Sequence, residues 1–294
     1  MRLGFIGFGA MGCPMAAHLL RAGHALSVWS RRPASTAALV AQGALRRASP
    51  ADVARNAEIV CTNVTASADV EELAFGPGGL VRGLVPGSLH VDFSTIAPSA
   101  ARRIAAAYGR AGVDFVDAPV SGGSGGARDA TLAIMWGGKA ALASRLAPIF
   151  DLLGKTIVRV GETGAGQVAK ACNQMVMVAA IQASAEAARL AAASGIDFAK
   201  VRSAMMHGSG GSRVLDVFGA RMATADFAAG VEARLHHKDY ALLMDEATRL
   251  GVALPISAAV AQLLNALMGR RWGKNDTSSL LRVLQTAAEQ EMMR

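Results

Sequence analysis

A lysine and two amides stand at helical spacing in the most apolar stretch of the chain. Lys170, Asn173 and Gln174 occupy positions i, i+3 and i+4 of a run without proline or glycine that continues to Ser194, so they share one face of a predicted helix. A buried ammonium requires a lowered pKa, a partner or a ligand, and the last two arrangements are typical of general acid–base catalysis. The alternative is a lysine that lays its stem on the core and extends its ammonium to solvent.

A glycine motif near the first residue supplies the second chemical element. Gly7, Gly9 and Gly12 have the G-x-G-x-x-G spacing, after an apolar run at residues 2–6 and before a helical pattern at residues 14–21. A second strand pattern follows, which is the context of a dinucleotide site. There the glycines allow a tight turn and a close backbone approach, and the helix N-terminus binds the pyrophosphate. The alternative is a glycine turn in an α/β fold that binds no dinucleotide.

The end of the second strand bears on which dinucleotide is bound. An NAD(H) site usually carries Asp or Glu there to bind the ribose hydroxyls, whereas this chain has Ser30, Arg31 and Arg32. A hydroxyl and two guanidinium groups suit a 2′-phosphate. We therefore expect NADP(H) as the preferred cofactor and NAD(H) as the alternative, although two arginines in a surface loop are often only solvated.

Strands and helices alternate through the first half of the chain, and helices alone follow. This predicts an α/β Rossmann domain with a doubly wound, mainly parallel sheet over residues 1–163, and an all-α domain over residues 164–294, joined by a long interdomain helix. The predicted strands cover residues 2–6, 26–30, 58–64, 88–93, 113–118, 131–136 and 156–160. The predicted helices of the second domain cover residues 167–194, 197–206, 212–223, 235–250, 257–268 and 277–291.

Three loops at predicted strand ends are further candidates for the site. Ligands of doubly wound sheets lie beyond the carboxyl ends of the strands, where Val64–Thr65 and Ser94–Thr95 stand. The segment from Ser121 to Gly126, the densest glycine stretch, follows another strand. Its backbone N–H groups, beside the Ser121 hydroxyl, can form a nest for a carboxylate or phosphate. A mobile glycine loop is the alternative interpretation.

Composition limits the function classes. The chain has 294 residues, of which 52% are hydrophobic and 18% charged, so it can form two cores of ordinary size. The net charge of +8 is scattered, and only 5% of residues are aromatic, which argues against a nucleic-acid partner. The apolar stretch at 168–194 is interrupted by Lys170, Asn173, Gln174, Gln182, Glu186 and Arg189, so we expect a buried helix and no membrane partner.

The cysteines and histidines predict neither a disulfide framework nor a metal site. Cys13, Cys61 and Cys172 are few, widely separated and in apolar surroundings, as expected of buried reduced thiols in a cytoplasmic protein without a secretory signal. Adjacent His236 and His237 lack the i, i+4 spacing of a helical zinc pair. The Lys and Asp that follow them are most simply a solvated helix start.

Four ordered segments resemble those of the β-hydroxyacid dehydrogenases. They are the extended cofactor signature Gly4–Met15, the substrate loop Asp117–Gly123, the catalytic segment Gly164–Gln174 and the later pair Lys238–Asp239. The likeness covers essentially the whole chain. It implies a substrate cleft and an oligomerisation surface contributed by the helical domain, and a homo-oligomer, commonly a dimer or tetramer.

The resemblance also assigns roles to residues. Lys170 would be the general acid/base, and the substrate would be a small carboxylate. The implied substrate-binding residues are Ser121, Gly122, Gly123, Asn173 and Gln174. The candidate cofactor-binding residues, from the motifs and the resemblance together, are Gly7, Phe8, Gly9, Ala10, Met11, Gly12, Ser30, Arg31, Arg32, Val64, Thr65, Thr95 and Lys238.

Departures from the family pattern narrow the expected activity. Gln174, where a second Asn is common, and the segment His237–Asp239 resemble the branch that reduces tartronate semialdehyde to glycerate. Oxidation of 3-hydroxyisobutyrate, or reduction of succinic or glyoxylic semialdehyde, is the alternative. Val64–Thr65 stands where the family commonly has Leu-Pro or Val-Pro. Lys170 argues against an imine reductase, and Asn173, in place of His, against a 6-phosphogluconate dehydrogenase. A non-catalytic dinucleotide-binding scaffold is the hypothesis from a different class.

Overall fold

The computed structural model describes residues 1–285. Its strands are β1 Arg2–Ile6, β2 Ala25–Trp29, β3 Leu45–Arg46, β4 Ile59–Thr62, β5 Leu89–Asp92, β6 Asp114–Asp117, β7 Val120–Ser121, β8 Leu132–Gly137 and β9 Gly154–Gly161. Its α-helices are α1 Gly12–Arg21, α2 Ala37–Ala41, α3 Pro50–Arg55, α4 Ser67–Phe75, α5 Pro98–Gly109, α6 Gly123–Arg128, α7 Ala143–Phe150, α8 Ala165–Ala193, α9 Phe198–Met206, α10 Ala220–Ala223, α11 Ala233–Leu250, α12 Pro255–Gly269 and α13 Leu280–Val283.

The nine strands form one sheet in the first part of the chain. Its order is β3-β2-β1-β4-β5-β6-β8-β7, with β9 beside β8. Along this order, the neighbouring strands β3, β2, β1, β4, β5 and β6 pair in parallel. Strand β8 runs antiparallel to β6 and β7, and β9 is parallel to β8. The order 3-2-1-4-5-6 is that of a Rossmann fold, with the switch point between β1 and β4. The predicted doubly wound, mainly parallel sheet is confirmed.

Apolar side chains cover both faces of the central strands. All four residues of β4 and of β5 are buried, which is the pattern of parallel strands between two helical layers. Met15 and Leu19 of α1 lie in one core with Phe5 of β1, whereas Ile104 of α5 lies in another. This packing fixes the carboxyl ends of the strands, where the candidate loops begin.

The chain divides into two compact units, one covering Met1–Lys170 and the other beginning at Ala171. The long helix α8 runs through this division, and the second unit is helical. By length and composition alone, α8 is the one helix among residues 1–285 that could cross a membrane. Its residues Val178, Ile181 and Ala185 are nevertheless buried in the apolar core of the second unit, as in the core helix of a folded domain.

Three expectations about local structure differ from the observed elements. The glycine-rich stretch after Ser121 is not a loop but the short helix α6. The chain enters this helix through Gly122, whose φ of 134° is a conformation that glycine adopts without a steric penalty. The predicted helix 212–223 contains a π-helical turn at Leu215–Gly219 before α10. The predicted helix 277–291 is a 3₁₀ turn, Thr277–Ser279, followed by α13, and its residues 286–291 lie outside the described part.

The prediction that the cysteines are buried is wrong for two of them. All three are free thiols, but only Cys61 is buried, while Cys13 is half-buried and Cys172 is exposed. Apolar neighbours in sequence do not imply burial, because α8 also presents part of its apolar surface outward, including Val176. Burial raises the pKa of the Cys61 thiol to about 12.

Candidate active site

The glycine turn between β1 and α1 leaves open space where a dinucleotide would need it. Gly7 has a φ of 108°, and a Cβ there would lie 2.1 Å from the Asn63 carbonyl oxygen. A Cβ on Gly12 would lie 1.9 Å from the Gly7 oxygen, so the backbone of α1 packs directly against the backbone of the glycine turn. A Cβ on Gly9, in contrast, would meet no atom within 4 Å. Gly9 is therefore not required by packing, and its exposed backbone fits the close approach of a ligand.

The N-terminus of α1 fits an anion. No side chain among the described residues caps this end, and no acidic residue stands in the first turn. Its N–H groups and the positive end of the helix dipole favour a phosphate there. The residues present therefore fit the pyrophosphate of a dinucleotide.

At the end of β2, donors and hydroxyls replace the carboxylate of an NAD(H) site. The Ser30 hydroxyl accepts hydrogen bonds from the Arg32 N–H (3.2 Å) and the Ser35 hydroxyl (2.8 Å). Arg31 pairs with Asp69 at 3.3 Å, and its side chain is 77% exposed. Arg32 is also exposed. This end of β2 thus carries two exposed guanidinium groups, one of which is ion-paired with Asp69.

A buried polar network holds the loops that follow β4 and β5. Thr62 and Ser94 donate from their hydroxyls to Oδ1 of Asp92, at 2.7 and 2.6 Å. The Val64 N–H donates to the Ser94 hydroxyl at 2.8 Å. Asp92 thus links the end of β4 to the end of β5, where Val64–Thr65 and Thr95 stand. Sequence reasoning found these loops but not the carboxylate beneath them.

A histidine below this network is neutral. The Nε2 of His90 lies 2.8 Å from the Thr62 hydroxyl. Because that hydroxyl donates to Asp92, it accepts from His90, and Nε2 carries the proton. Complete burial lowers the pKa of His90 to about 3. His90 therefore contributes to the fold of the sheet and not to proton transfer.

The predicted carboxylate loop is the start of α6. β7 ends at Ser121, Gly122 and Gly123 have φ values of 134° and 63°, and α6 begins at Gly123. The first turn contains no acidic residue, and a Cβ on Gly123 or on Gly125 would meet no atom within 4 Å. Neighbouring atoms therefore leave open space beside this turn, and the nest for a carboxylate stays a prediction.

Lys170 lies in the sixth position of α8 and is 7% exposed. This low exposure argues against the solvent-reaching alternative, in which the ammonium extends into water. Gln174, one turn further, is 3% exposed, and Asn173 is half-buried. The three polar side chains thus lie buried or half-buried on α8.

The second unit contains a chain of polar contacts that begins at Asn173. Its Nδ2 donates to Oε1 of Gln174 at 3.0 Å, and Nε2 of Gln174 donates to Oδ2 of Asp239 at 2.6 Å. Lys238 forms an ion pair with Oδ1 of Asp239 at 2.9 Å. Asp239 is only 8% exposed, so the expectation of a solvated helix start is wrong. Tertiary packing of α11 on α8 buries this carboxylate, and local sequence gives no sign of that.

The adjacent histidines have separate partners. Nδ1 of His236 lies 2.7 Å from the Thr277 hydroxyl, and Nε2 of His237 lies 2.8 Å from Oδ1 of Asn265. Within residues 1–285, no three His, Cys, Asp or Glu side chains stand close enough to hold a metal ion.

Two sequence families together match nearly the whole chain. The NAD binding domain of 6-phosphogluconate dehydrogenase matches residues 2–161. The NAD-binding domain of NADP-dependent 3-hydroxyisobutyrate dehydrogenase matches residues 164–284.

Individual relatives and a solved structure agree with this. The chain is 39% identical to the 2-hydroxy-3-oxopropionate reductase of Escherichia coli (strain K12), over 99% of this chain and 100% of that protein. It is 35% identical to the NAD-dependent L-serine dehydrogenase of Pseudomonas aeruginosa, over 94% and 95% of the two chains. The solved structure of Mycobacterium tuberculosis 3-hydroxyisobutyrate dehydrogenase with L-serine is similar at a TM-score of 0.90 and 29% identity, covering 97% of this chain and 100% of that one.

Proposed function

The chain belongs to the β-hydroxyacid dehydrogenases, a family of NAD(P)-dependent oxidoreductases, and from that premise we propose that it reduces tartronate semialdehyde to glycerate. More broadly, it interconverts a small 3-hydroxyacid and its semialdehyde. The observation that carries the proposal is the burial of Lys170 on α8, one turn before Asn173 and Gln174. A buried lysine followed by paired amides is suited to protonate and orient a small polar substrate.

Lys170 is the proposed general acid/base. When bound, the reduced cofactor supplies the hydride that the aldehyde carbon accepts. As the carbonyl π bond breaks, its oxygen gains negative charge, and the Lys170 ammonium donates the proton that completes the alcohol. In the reverse direction, the neutral amine of Lys170 accepts the hydroxyl proton. Asn173 orients the reacting oxygen, and Gln174, whose amide oxygen accepts from Asn173, fixes the orientation of Asn173.

The start of α6 is the proposed carboxylate site. Backbone N–H groups of Gly122 and Gly123, with the Ser121 hydroxyl, are donors for a carboxylate that carries its aldehyde one carbon further out. This anchor limits the substrate to small acids. It does not by itself distinguish a hydroxyl from a methyl on the intervening carbon, so other small acids are alternatives.

The preferred substrate rests on Gln174 and on the 39% identity to a 2-hydroxy-3-oxopropionate reductase. The alternatives are 3-hydroxyisobutyrate, succinic semialdehyde and glyoxylic semialdehyde. L-Serine joins them because one similar protein is named an L-serine dehydrogenase and the similar solved structure is described with L-serine. A direct test is a panel of these compounds, measured in both directions with purified protein.

NADP(H) is the proposed cofactor, with NAD(H) as the alternative. The support is the cationic end of β2, where Ser30, Arg31 and Arg32 stand in place of a carboxylate. The other proposed cofactor contacts are the glycine turn from Gly7 to Gly12 with Phe8, Ala10 and Met11, the loop Val64–Thr65, and Thr95 and Lys238 at the nicotinamide end.

We further propose residues 1–163 as the cofactor-binding domain and the remainder as the domain for substrate and oligomer contacts. A homo-oligomer, dimer or tetramer, in the cytoplasm is expected, and light scattering after size-exclusion chromatography tests its size. The same panel of compounds tests the alternative hypothesis that the protein is a non-catalytic dinucleotide-binding scaffold. A protein that binds NADPH tightly but converts none of the compounds with either cofactor is a scaffold and contradicts the proposed activity.

A further inference from the structure

The start of α8 is held by a carboxylate from a distant part of the chain. Asp117, the last residue of β6, is fully buried. Its Oδ1 accepts from the N–H of Gly164 at 2.7 Å, and its Oδ2 from the N–H of Gln167 at 2.9 Å. The first N–H groups of a helix have no partner within that helix. Asp117 therefore acts as the cap of α8 and ties its first turn to the end of β6.

The side chain of Gln167 makes a second attachment. Its Oε1 accepts from the N–H of Ile96 at 3.0 Å, and its Nε2 donates to the carbonyl oxygen of Ser94 at 2.8 Å. Gln167 is 2% exposed, so its amide has no solvent to satisfy it in another orientation. The oxygen must face the Ile96 N–H and the nitrogen must face the Ser94 carbonyl, which fixes a single orientation of the amide. Ser94 and Ile96 flank Thr95, and this amide therefore fixes both Thr95 and the first turn of α8.

Two glycines allow the helix to approach this closely. A Cβ on Gly137 would lie 2.7 Å from the Glu162 oxygen and 2.8 Å from Oδ1 of Asp117. A Cβ on Gly166 would lie 2.6 Å from the Met135 oxygen and 2.9 Å from Oδ2 of Asp117. Side chains do not reach such distances without displacement of the backbone. The start of α8 and the strand ends are thus fitted to each other around Asp117.

The anchor lies one helical turn from the proposed acid. Lys170 follows Gln167 by three residues, which is about 4.5 Å along a helix axis. Asp117 is also four residues before Ser121, at the start of the proposed site for the substrate carboxylate. The Asp117 side chain therefore links the chain segment that leads to this site with the helix that carries Lys170. Reaction rates are sensitive to displacements of about 1 Å between reacting groups. A shift of this turn would therefore change the distance from Lys170 to its substrate.

We propose that Asp117 and Gln167 are positioning residues that set the placement of Lys170 and Thr95 for the hydride-transfer reaction. This inference rests on the function proposed above for Lys170. The anchor is costly to maintain, because burial raises the pKa of Asp117 to about 7 and thus disfavours the charged form. What the carboxyl group provides is two hydrogen bonds from backbone N–H groups in fixed geometry, which are charge-assisted when the group is ionised and which an apolar contact cannot provide.

Asp117→Asn tests the anchor with nearly unchanged volume. Asparagine keeps one acceptor and presents an NH₂ group to the other N–H, so one bond is lost. We expect amide hydrogen exchange in the peptide covering residues 162–172 to become at least about tenfold faster, and kcat to fall at least about tenfold. The Kd for NADPH and the substrate KM should change less than about threefold. Exchange is measured without substrate, so it reports on the anchor even if no compound of the panel is converted.

The matched control is Asp276→Asn. Asp276 is also buried, and its carboxylate accepts from the N–H groups of Gly230, Val231 and Ser278. This control should keep wild-type kcat and wild-type exchange at residues 162–172. An equal loss of kcat in the control, or unchanged exchange in Asp117→Asn, overturns the proposal. Faster exchange with unchanged kcat also overturns it, because the anchor would then be structural only.

Gln167→Met provides a second route if Asp117→Asn does not fold. Methionine fills a similar volume and removes both side-chain hydrogen bonds, while the N–H of residue 167 can still donate to Asp117. The expected result is again a lower kcat with little change in the Kd for NADPH. A kcat within about twofold of wild type contradicts the role of Gln167, because a twofold change corresponds to less than half of the free energy of a typical buried hydrogen bond.

Discussion

Nε2 of Gln174 on α8 donates to Oδ2 of Asp239 on α11 at 2.6 Å. This hydrogen bond joins two residues that are 65 positions apart in sequence. The same carboxylate pairs with Lys238, and the amide oxygen of Gln174 accepts from Asn173. A residue proposed to orient substrate and a residue proposed to contact the cofactor thus depend on one buried carboxylate.

The Gln174 and Asp239 pair should act as a unit in catalysis. Gln174→Met and Asp239→Asn should each lower kcat/KM by about tenfold, because the first removes a buried hydrogen bond and the second removes the charge that strengthens it. The double variant should be scarcely worse than the more damaged single variant. A control cycle combines Gln174→Met with Asp216→Asn, which affects an exposed ion pair with Arg202. Additive losses in the first cycle would show that the contact does not transmit the effect.

Lys170→Met should remove most of the turnover. The variant keeps the length and apolar stem of the side chain but has no proton to donate, so kcat should fall by about 10²- to 10⁴-fold. NADPH binding, followed by cofactor fluorescence, should remain near wild type. Lys155→Met, at an exposed lysine of β9, is the matched control and should leave kcat unchanged. A near-normal kcat in Lys170→Met refutes the assignment of the general acid/base.

Gly9→Ala and Gly12→Ala should separate ligand binding from folding. The Gly12 variant places a Cβ 1.9 Å from a backbone oxygen and should lower the melting temperature strongly. The Gly9 variant places its Cβ in open space, so the protein should fold normally and bind NADPH at least about tenfold more weakly. Gly109→Ala, also in open space, serves as the control for cofactor binding. Unchanged NADPH affinity in Gly9→Ala contradicts the proposed approach of the pyrophosphate.

Arg32→Ala should change the choice between the two cofactors. Loss of one guanidinium contact to a 2′-phosphate should raise the KM for NADPH about tenfold and leave the KM for NADH nearly unchanged. Arg110→Ala, at an exposed arginine after α5, controls for the loss of net charge. If wild-type protein uses NAD(H) more efficiently than NADP(H), the inference from Ser30, Arg31 and Arg32 is wrong.

The raised pKa of Asp117 predicts a specific pH dependence of stability. Burial raises the pKa of Asp117 from its ordinary value of 3.8, which applies to the unfolded chain, to about 7 in the folded protein. Since the native state binds more protons in this window, the contribution of Asp117 to the free energy of unfolding decreases as pH rises from about 4 to 7. Asp92 is the charged group that adds to the shift.

Urea unfolding at several pH values measures this contribution. The free energy of unfolding of wild type, minus that of Asp117→Asn, should decrease between pH 4 and 7 and level off above the folded pKa. Asp276→Asn provides the comparison for loss of a buried carboxylate elsewhere. A difference that stays constant or increases across this window contradicts the sign of the pKa shift.

Features that depend on near neighbours along the chain could be predicted from the sequence alone. The predicted Rossmann domain followed by helices is confirmed, and it rested on the spacing of Gly7, Gly9 and Gly12, the alternation of strands and helices, and the apolar run of α8. Steric and hydrogen-bonding preferences act over a few residues, so such patterns are visible locally. They also placed Lys170, Asn173 and Gln174 on one helix.

Which polar groups are buried together became visible only in the folded chain. Asp117 caps a helix from 47 residues away, and Asp239, expected to be solvated, is buried against Gln174 across 65 residues. The sequence around each gives no indication of its partner, because that pairing depends on how separate strands and helices pack. The physical reason is desolvation: a carboxylate is tolerated in the interior only where donors converge on it, and the fold alone brings those donors together.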